Sequence, residues 1–173
     1  MIDGLARGDK FVLIINELDR NEHLRLLRDG GVDVNGEGQG GGQLELISWP
    51  KKYFHGGSFD RMAALEMLDD AFARAQRQGY TRTRIIADWA LRDQPQLEQF
   101  IDYEARLNSL AAKYGQTIIC VYDLSRVGGS AVLDAMRTHP LAVVGGVMQK
   151  NPFYLPPEQV LAGISASNGR CSA

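Results

Sequence analysis

Arg84-Ile85-Ile86-Ala87-Asp88-Trp89, Thr117-Ile118-Ile119-Cys120-Val121-Tyr122-Asp123 and Leu141-Ala142-Val143-Val144-Gly145-Gly146 are three apolar runs of strand length, each closed by polar residues or glycine, and helical patterns separate them. Short apolar runs alternating with amphipathic helices predict βαβ units and a mostly parallel sheet, a three-layer α/β fold. In such sheets ligands collect at the carboxyl ends of the strands. Asp88, Trp89, Tyr122 and Asp123 stand at those ends, so one pattern predicts a fold and a site together.

Upstream, Phe11–Ile15 is a continuous apolar run, read as a strand. Leu18–Asp29 reads as a short helix with Leu24, Leu26 and Leu27 as its apolar residues, stopped at Gly30-Gly31 because glycine accepts the left-handed cap. A glycine-rich loop, Val32–Gln43, leads to an alternating strand, Leu44–Ser48. Pro50–Gly57 is a loop carrying Tyr53, Phe54 and His55. Ser58 is the expected N-cap of a helix reaching about Gln78, with acidic Asp60 in its first turn and Met62, Leu65, Leu68 and Phe72 at helical spacing.

Further along, Pro95 suits the first turn of the next helix, whose inner face carries Leu97, Phe100, Ile101, Leu107 and Leu110. A short helix starts at Ser130 and ends near His139-Pro140, and a last one covers Glu158–Leu161. One domain over residues 1–162 is expected, with a mobile polar tail over 163–173.

The chain's 173 residues suffice for one buried core. A net charge of −2, with no basic run, gives no reason to expect nucleic-acid binding. Apolar stretches of about seven residues fall far short of a membrane span, and there is no apolar secretory segment. Cys120 and Cys171 make no disulfide framework, so a cytoplasmic location is expected.

Gly36-Glu37-Gly38-Gln39-Gly40-Gly41 satisfies G-x-G-x-x-G but follows a helix and precedes a strand, the reverse of the dinucleotide context. No G-x-x-x-x-G-K-[ST] loop occurs. Asp88 and Asp123 could hold magnesium or cap turns. His23, His55 and His139 form no i,i+4 pair and lie near no cysteine cluster, so no zinc site is expected. His139 suits a helix C-terminus, where imidazolium complements the dipole, or a ligand contact. Trp89 could line a pocket or pack under a loop. Glu104 and Asn108 share a helical face turned either to solvent or to the strand ends. Cys120, in mid-strand, reads as an inert core thiol.

Trp89-Ala90-Leu91-Arg92-Asp93, Tyr103-Glu104-Ala105-Arg106-Leu107-Asn108, Tyr122-Asp123, Arg137-Thr138-His139-Pro140 and Asn151-Pro152-Phe153-Tyr154-Leu155-Pro156-Pro157-Glu158 occur in that order. Together with Gly31-Val32-Asp33-Val34, Gly42-Gln43-Leu44 and Gly56-Gly57-Ser58-Phe59-Asp60, they resemble the MEDS domain, the methanogen/methylotroph DcmR-type sensory domain. The resemblance covers about Leu5 to Leu161. It implies a fold similar to the RecA/KaiC ATPase core with the nucleotide machinery degenerate, a P-loop NTPase-like sheet without the Walker A lysine. It also implies a sensory module for hydrocarbon derivatives, joined to histidine-kinase or transcription-regulator partners. Family members usually carry a further strand and helix before the segment matching Gly8-Asp9-Lys10, a unit that in the ATPase relatives holds the phosphate loop and a central strand. Without that strand the sheet is expected to close up or to recruit a strand from a partner, which favours a homo-oligomer.

The expectation is a non-catalytic sensory domain without a cofactor, signalling to a protein partner. Asp88, Trp89, Tyr122, Asp123 and His139 would contact a small, mostly apolar ligand, with Tyr53 and His55 as loop candidates. The alternatives are an ATPase-like enzyme using Asp88 or Asp123 with magnesium, and a pure protein-interaction module.

Overall fold

A computed structural model describes residues 1–34, 42–48, 54–55, 58–89, 97–125 and 128–170. The order of elements is α1 (Ile2–Ala6), β1 (Lys10–Ile15), a 3-10 turn (Glu17–Asp19), α2 (Arg20–Asp29), β2 (Leu44–Ser48), β3 (Phe54–His55), β4 (Ser58–Phe59), α3 (Arg61–Arg77), β5 (Thr83–Trp89), α4 (Leu97–Tyr114), β6 (Thr117–Tyr122), α5 (Gly129–Thr138), β7 (Leu141–Val144), β8 (Val147–Lys150) and α6 (Pro157–Arg170). Among the described residues, no helix is long and apolar enough to cross a membrane.

The main sheet runs β2-β1-β5-β6 and is parallel throughout. Every residue of β1 is buried, as expected for a central strand covered on both faces. Its side chains alternate between two cores. Val12 and Ile14 join Ile85, Ala87, Leu68, Phe72, Phe100, Tyr103 and Leu107 under α3 and α4. Phe11, Leu13 and Ile15 join Leu44, Leu46, Val32 and Val34, with Leu5, Leu24 and Leu27 packed against them from α1 and α2. Helices therefore flank the sheet on both faces, as the alternation of apolar runs and helical patterns predicts. The sheet is continuous from β2 to β6, and β6 is its outer strand among the described residues. Outward-facing Ile119 and Val121 are exposed, while Ile118, Cys120 and Tyr122 pack inward. Cys120 is thus half-buried on an edge strand rather than deep in the core.

Four further expectations need correction. The Leu141 run is not a strand of the parallel sheet. It forms β7, which pairs antiparallel with β8 in a separate hairpin. Gly145 and Gly146 both take positive φ, 57° and 80°, the requirement of the two-residue type I′ turn. Those glycines turn the chain back on itself instead of closing a strand. The cap of α3 is Asp60 rather than Ser58: Asp60 Oδ1 accepts from the N–H groups of Met62 and Ala63, each at 3.0 Å, while Ser58 pairs with His55 in the β3–β4 hairpin. The last helix continues from Pro157 to Arg170, through residues expected in a tail. Leu26 of α2 is exposed, because the apolar face of that short helix reaches the core through Leu24 and Leu27 alone.

Lys10 is buried at the start of β1. Its ammonium donates to Gly42 O and Gln78 Oε1, each at 2.9 Å, and lies 3.5 Å from Glu45. Burial lowers its pKa, against the opposing pull of Glu45. Arg74 holds the other Glu45 oxygen at 2.7 Å, so the charge cluster ties β1, β2 and α3 together.

Candidate functional site

The register sets Trp89 beside Tyr122 and Asp88 beside Val121. The ends of β5 and β6 therefore lie at one edge of the sheet, as expected. Side chains alternate along a strand, however, and this divides the expected residues between two faces. Asp88 stands on the α2 side, where its Oδ2 lies 3.2 Å from Nε2 of His23. Tyr122 points to the opposite side, toward α4 and the core beneath it. Asp123 accepts from the N–H and hydroxyl of Ser125, at 2.9 and 2.6 Å, the arrangement of an Asx turn. Tyr53 lies outside the described residues. His55 and Trp89 are placed by their backbones, in β3 and β5.

Two expected residues do come together. The rings of Tyr122 and His139 meet edge to face with centroids 6.0 Å apart. Between α4 and β6 they enclose two residues that the sequence reading left out of the site. Glu104, only 1% exposed, brings Oε2 to 3.1 Å from His139 Nε2. That contact lacks the alignment of a hydrogen bond, and neither Glu104 oxygen has a well-formed hydrogen-bond partner. Ligand atoms of Glu104, Cys120 and His139 all lie within 4.8 Å of one another. The shared face of Glu104 and Asn108 is therefore turned inward, toward β6 and α5.

The local sequence explains how His139 is held. It is the C-cap of α5, where the last carbonyls of a helix lack intrahelical partners. Asn108 Nδ2 donates to Thr138 O at 2.6 Å, and Asn151 Nδ2 donates to His139 O at 2.7 Å and also to Met136 O. Buried Asn151 thus anchors the segment, while its own Oδ1 receives the Phe153 N–H at 3.0 Å. Nδ1 of His139 lies 2.7 Å from Ala135 O. A carbonyl can only accept, so Nδ1 carries a proton and Nε2 faces Glu104. The capping role read from the sequence is present, joined to a buried carboxylate.

The electrostatics follow from this packing. Burial by itself would depress the His139 pKa. Close polar contacts with Cys120 and Glu104, and the charge of Glu104, outweigh burial and lift it to about 11. The Tyr122 phenol is held well above its usual value, first by burial and then by the Glu104 charge.

His23 carries a separate pH response. Its pKa is raised, chiefly by its hydrogen bond to Asp88. A raised folded-state pKa gives stability that is complete below the unfolded value, about 6.5, and is lost as pH rises through the folded value. Thermal stability should therefore decline from mildly acidic to mildly alkaline pH, and His23→Gln should flatten that slope. Equal slopes for wild type and His23→Gln in melts across this range would refute the coupling.

Among the described residues, two cavities lie elsewhere. A groove of about 620 Å³ lies between α3, α4 and α6, lined in part by Leu65, Asp69, Arg106, Lys113 and Leu161. Another, of about 380 Å³, is lined by Ile2, Leu5, Val32, Gln43 and Leu44. Neither opens at the ends of β5 and β6, the place expected for a crevice.

Comparison with known proteins fits the motifs in this site. A curated relative, the transcriptional repressor DcmR of Methylorubrum extorquens (strain DSM 6343 / CIP 106787 / DM4), is 25% identical over 140 residues, 79% of this chain and 49% of the repressor. The chain thus spans about half the length of that curated relative. The sequence profile of the family described as "MEthanogen/methylotroph, DcmR Sensory domain" matches residues 1–140. That stretch includes β1 to β6, Glu104, Cys120, Tyr122 and His139, and on it the chain belongs to the MEDS family.

Proposed function

We propose that residues 1–162 form a non-catalytic sensory and regulatory domain that binds a small, mostly apolar, hydrocarbon-derived molecule and signals to a protein partner such as a histidine kinase or transcription regulator. The observation that carries this reading is the match to the DcmR sensory-domain family over residues 1–140. The ligand would lie at the carboxyl ends of β5 and β6, with Trp89 and Tyr122 as apolar walls and His139 orienting its polar group. Asp88, Asp123, Tyr53 and His55 would contribute from the surrounding loops. A parallel sheet flanked by helices supports a RecA/KaiC-like ancestry. Turnover of ATP or GTP, abolished by Asp88→Ala, would instead establish the hydrolase reading.

Native mass spectrometry of protein purified from cells should reveal a bound small molecule. Tryptophan fluorescence, titrated with short primary alcohols and carboxylic acids as probes, locates the site. Trp89→Ala should weaken the response more than Trp49→Ala. A response confined to the variant that retains Trp49 would move the site away from β5.

A second reading, a domain that acts through protein contacts alone, draws support from exposed apolar residues. Val143, Val144, Val147 and Met148 of the β7–β8 hairpin, and Ile119 and Val121 of β6, are all exposed. Under either reading we expect a homo-oligomer built through the β6 edge. A strictly monomeric sedimentation profile at high concentration would eliminate that assembly.

A further inference from the structure

We propose that Glu104, Cys120 and His139 form a binding site for one divalent transition-metal ion of the zinc, cobalt or nickel class. This site goes beyond the sensory reading and stands whether or not the domain binds an apolar ligand.

Geometry makes the first case. The donors come from three elements, α4, β6 and the end of α5, yet their ligand atoms already lie within 4.8 Å of one another. An ion about 2.0–2.3 Å from each donor leaves neighbouring donors roughly 3–4 Å apart in a tetrahedral arrangement. Small side-chain adjustments therefore suffice to gather them.

The polar accounting makes the second. Glu104 is buried, and neither of its carboxylate oxygens has a well-formed hydrogen-bond partner. Such a carboxylate is costly unless a cation or several donors meet it. Among the described residues its ion-pair partner is His139 Nε2, at 3.1 Å, and an ion placed between the two would take over that pairing.

Orientation of the histidine makes the third. Nδ1 donates to the Ala135 carbonyl at 2.7 Å, and a metal-binding imidazole characteristically donates its other N–H to a backbone carbonyl or carboxylate. With Nδ1 committed to that carbonyl, Nε2 is the nitrogen turned to Glu104 and Cys120, and it can coordinate once an ion displaces its proton. Asn108 and Asn151 pin the backbone that carries the ring.

Charge balance completes the argument. A divalent ion with one carboxylate, one thiolate and one neutral imidazole is electrically neutral, and a neutral assembly avoids most of the cost of buried charge. On binding, the ion displaces the proton of Nε2 and that of the Cys120 thiol to solvent. Imidazole and thiolate donors favour zinc-class ions over magnesium or calcium. Three protein donors leave a fourth position for water or an exogenous donor, and the Tyr122 ring stands beside His139.

The test uses the full chain, stripped with chelator and titrated with Co²⁺. One equivalent should bind and produce the ultraviolet thiolate-to-cobalt charge-transfer band. Zn²⁺ should then displace the cobalt and erase the band. Cys120→Ser, which keeps the shape of the side chain, should abolish the band, with circular dichroism confirming the fold. Glu104→Gln should weaken binding by more than about tenfold, the lower end of what even an outer-shell partner costs. A wild-type titration without the band would overturn the site, and so would equal Co²⁺ affinity in wild type and Cys120→Ser. If Glu104→Gln does not fold, the Cys120→Ser comparison alone decides.

Discussion

Phe72→Ala should lower the stability of the domain by about 3–5 kcal/mol, the usual cost of emptying a buried aromatic position. Phe72 is 1% exposed and sits on the inner face of α3, its ring stacked on Tyr114 of α4 with centroids 5.1 Å apart. Around it lie Leu68, Ala71 and Ala75, all wholly buried. Those alanines bring the helix backbone close to the sheet and leave no flexible side chain to fill the hole. The loss therefore combines transfer of the ring to water with a persistent cavity. Urea denaturation should show a much lower midpoint with an unchanged slope. A cost below about 1 kcal/mol would mean that the layer between α3 and the sheet collapses readily, contrary to its packing.

The Glu104–His139 pair should give the second large effect, with a characteristic asymmetry. His139→Ala leaves a carboxylate in the interior and should cost about 3–5 kcal/mol in chelator-treated protein. Replacing both partners, with Glu104→Leu and His139→Ala together, removes that orphaned charge and should cost clearly less than His139→Ala alone. A double-mutant cycle measured by urea denaturation reads this directly. Costs that simply add would show that the two side chains are not coupled through the buried charge, and the electrostatic account of the site would fail.

Much of the fold can be read from local pattern. Continuous runs at Phe11–Ile15, Arg84–Trp89 and Thr117–Tyr122, and helical spacing at Met62–Phe72, require no tertiary information. The β7–β8 hairpin was also legible in principle, since Gly145-Gly146 is flanked by two strand-like runs. It was missed because Leu141–Val144 matches a buried parallel strand equally well, and only the pairing partner distinguishes the two. Glu104, Cys120 and His139 are harder to find. Spacing rules detect metal or charge clusters within one element, and these residues come from three. Half the signal was present: Cys120 and Tyr122 share a strand face, and Glu104 and Asn108 share a helix face. Which helix covers which strand is a property of the whole packed domain. Asp88 and Tyr122 illustrate the converse, for closeness at two strand ends does not place side chains on the same face.

The position of β1 has a consequence for how the chain is made. Its neighbour β5 supplies Thr83 opposite Lys10 and Ala87 opposite Ile14, residues synthesised roughly seventy positions later, and contacts this distant are slow to form. Until β5 leaves the ribosome, β1 can pair with β2 alone, and two strands are marginal in water. Throughout that interval, Phe11–Ile15 offers an unpaired apolar edge, the kind of segment that seeks wrong partners. The strand best protected in the finished domain is the one left uncovered longest during its synthesis.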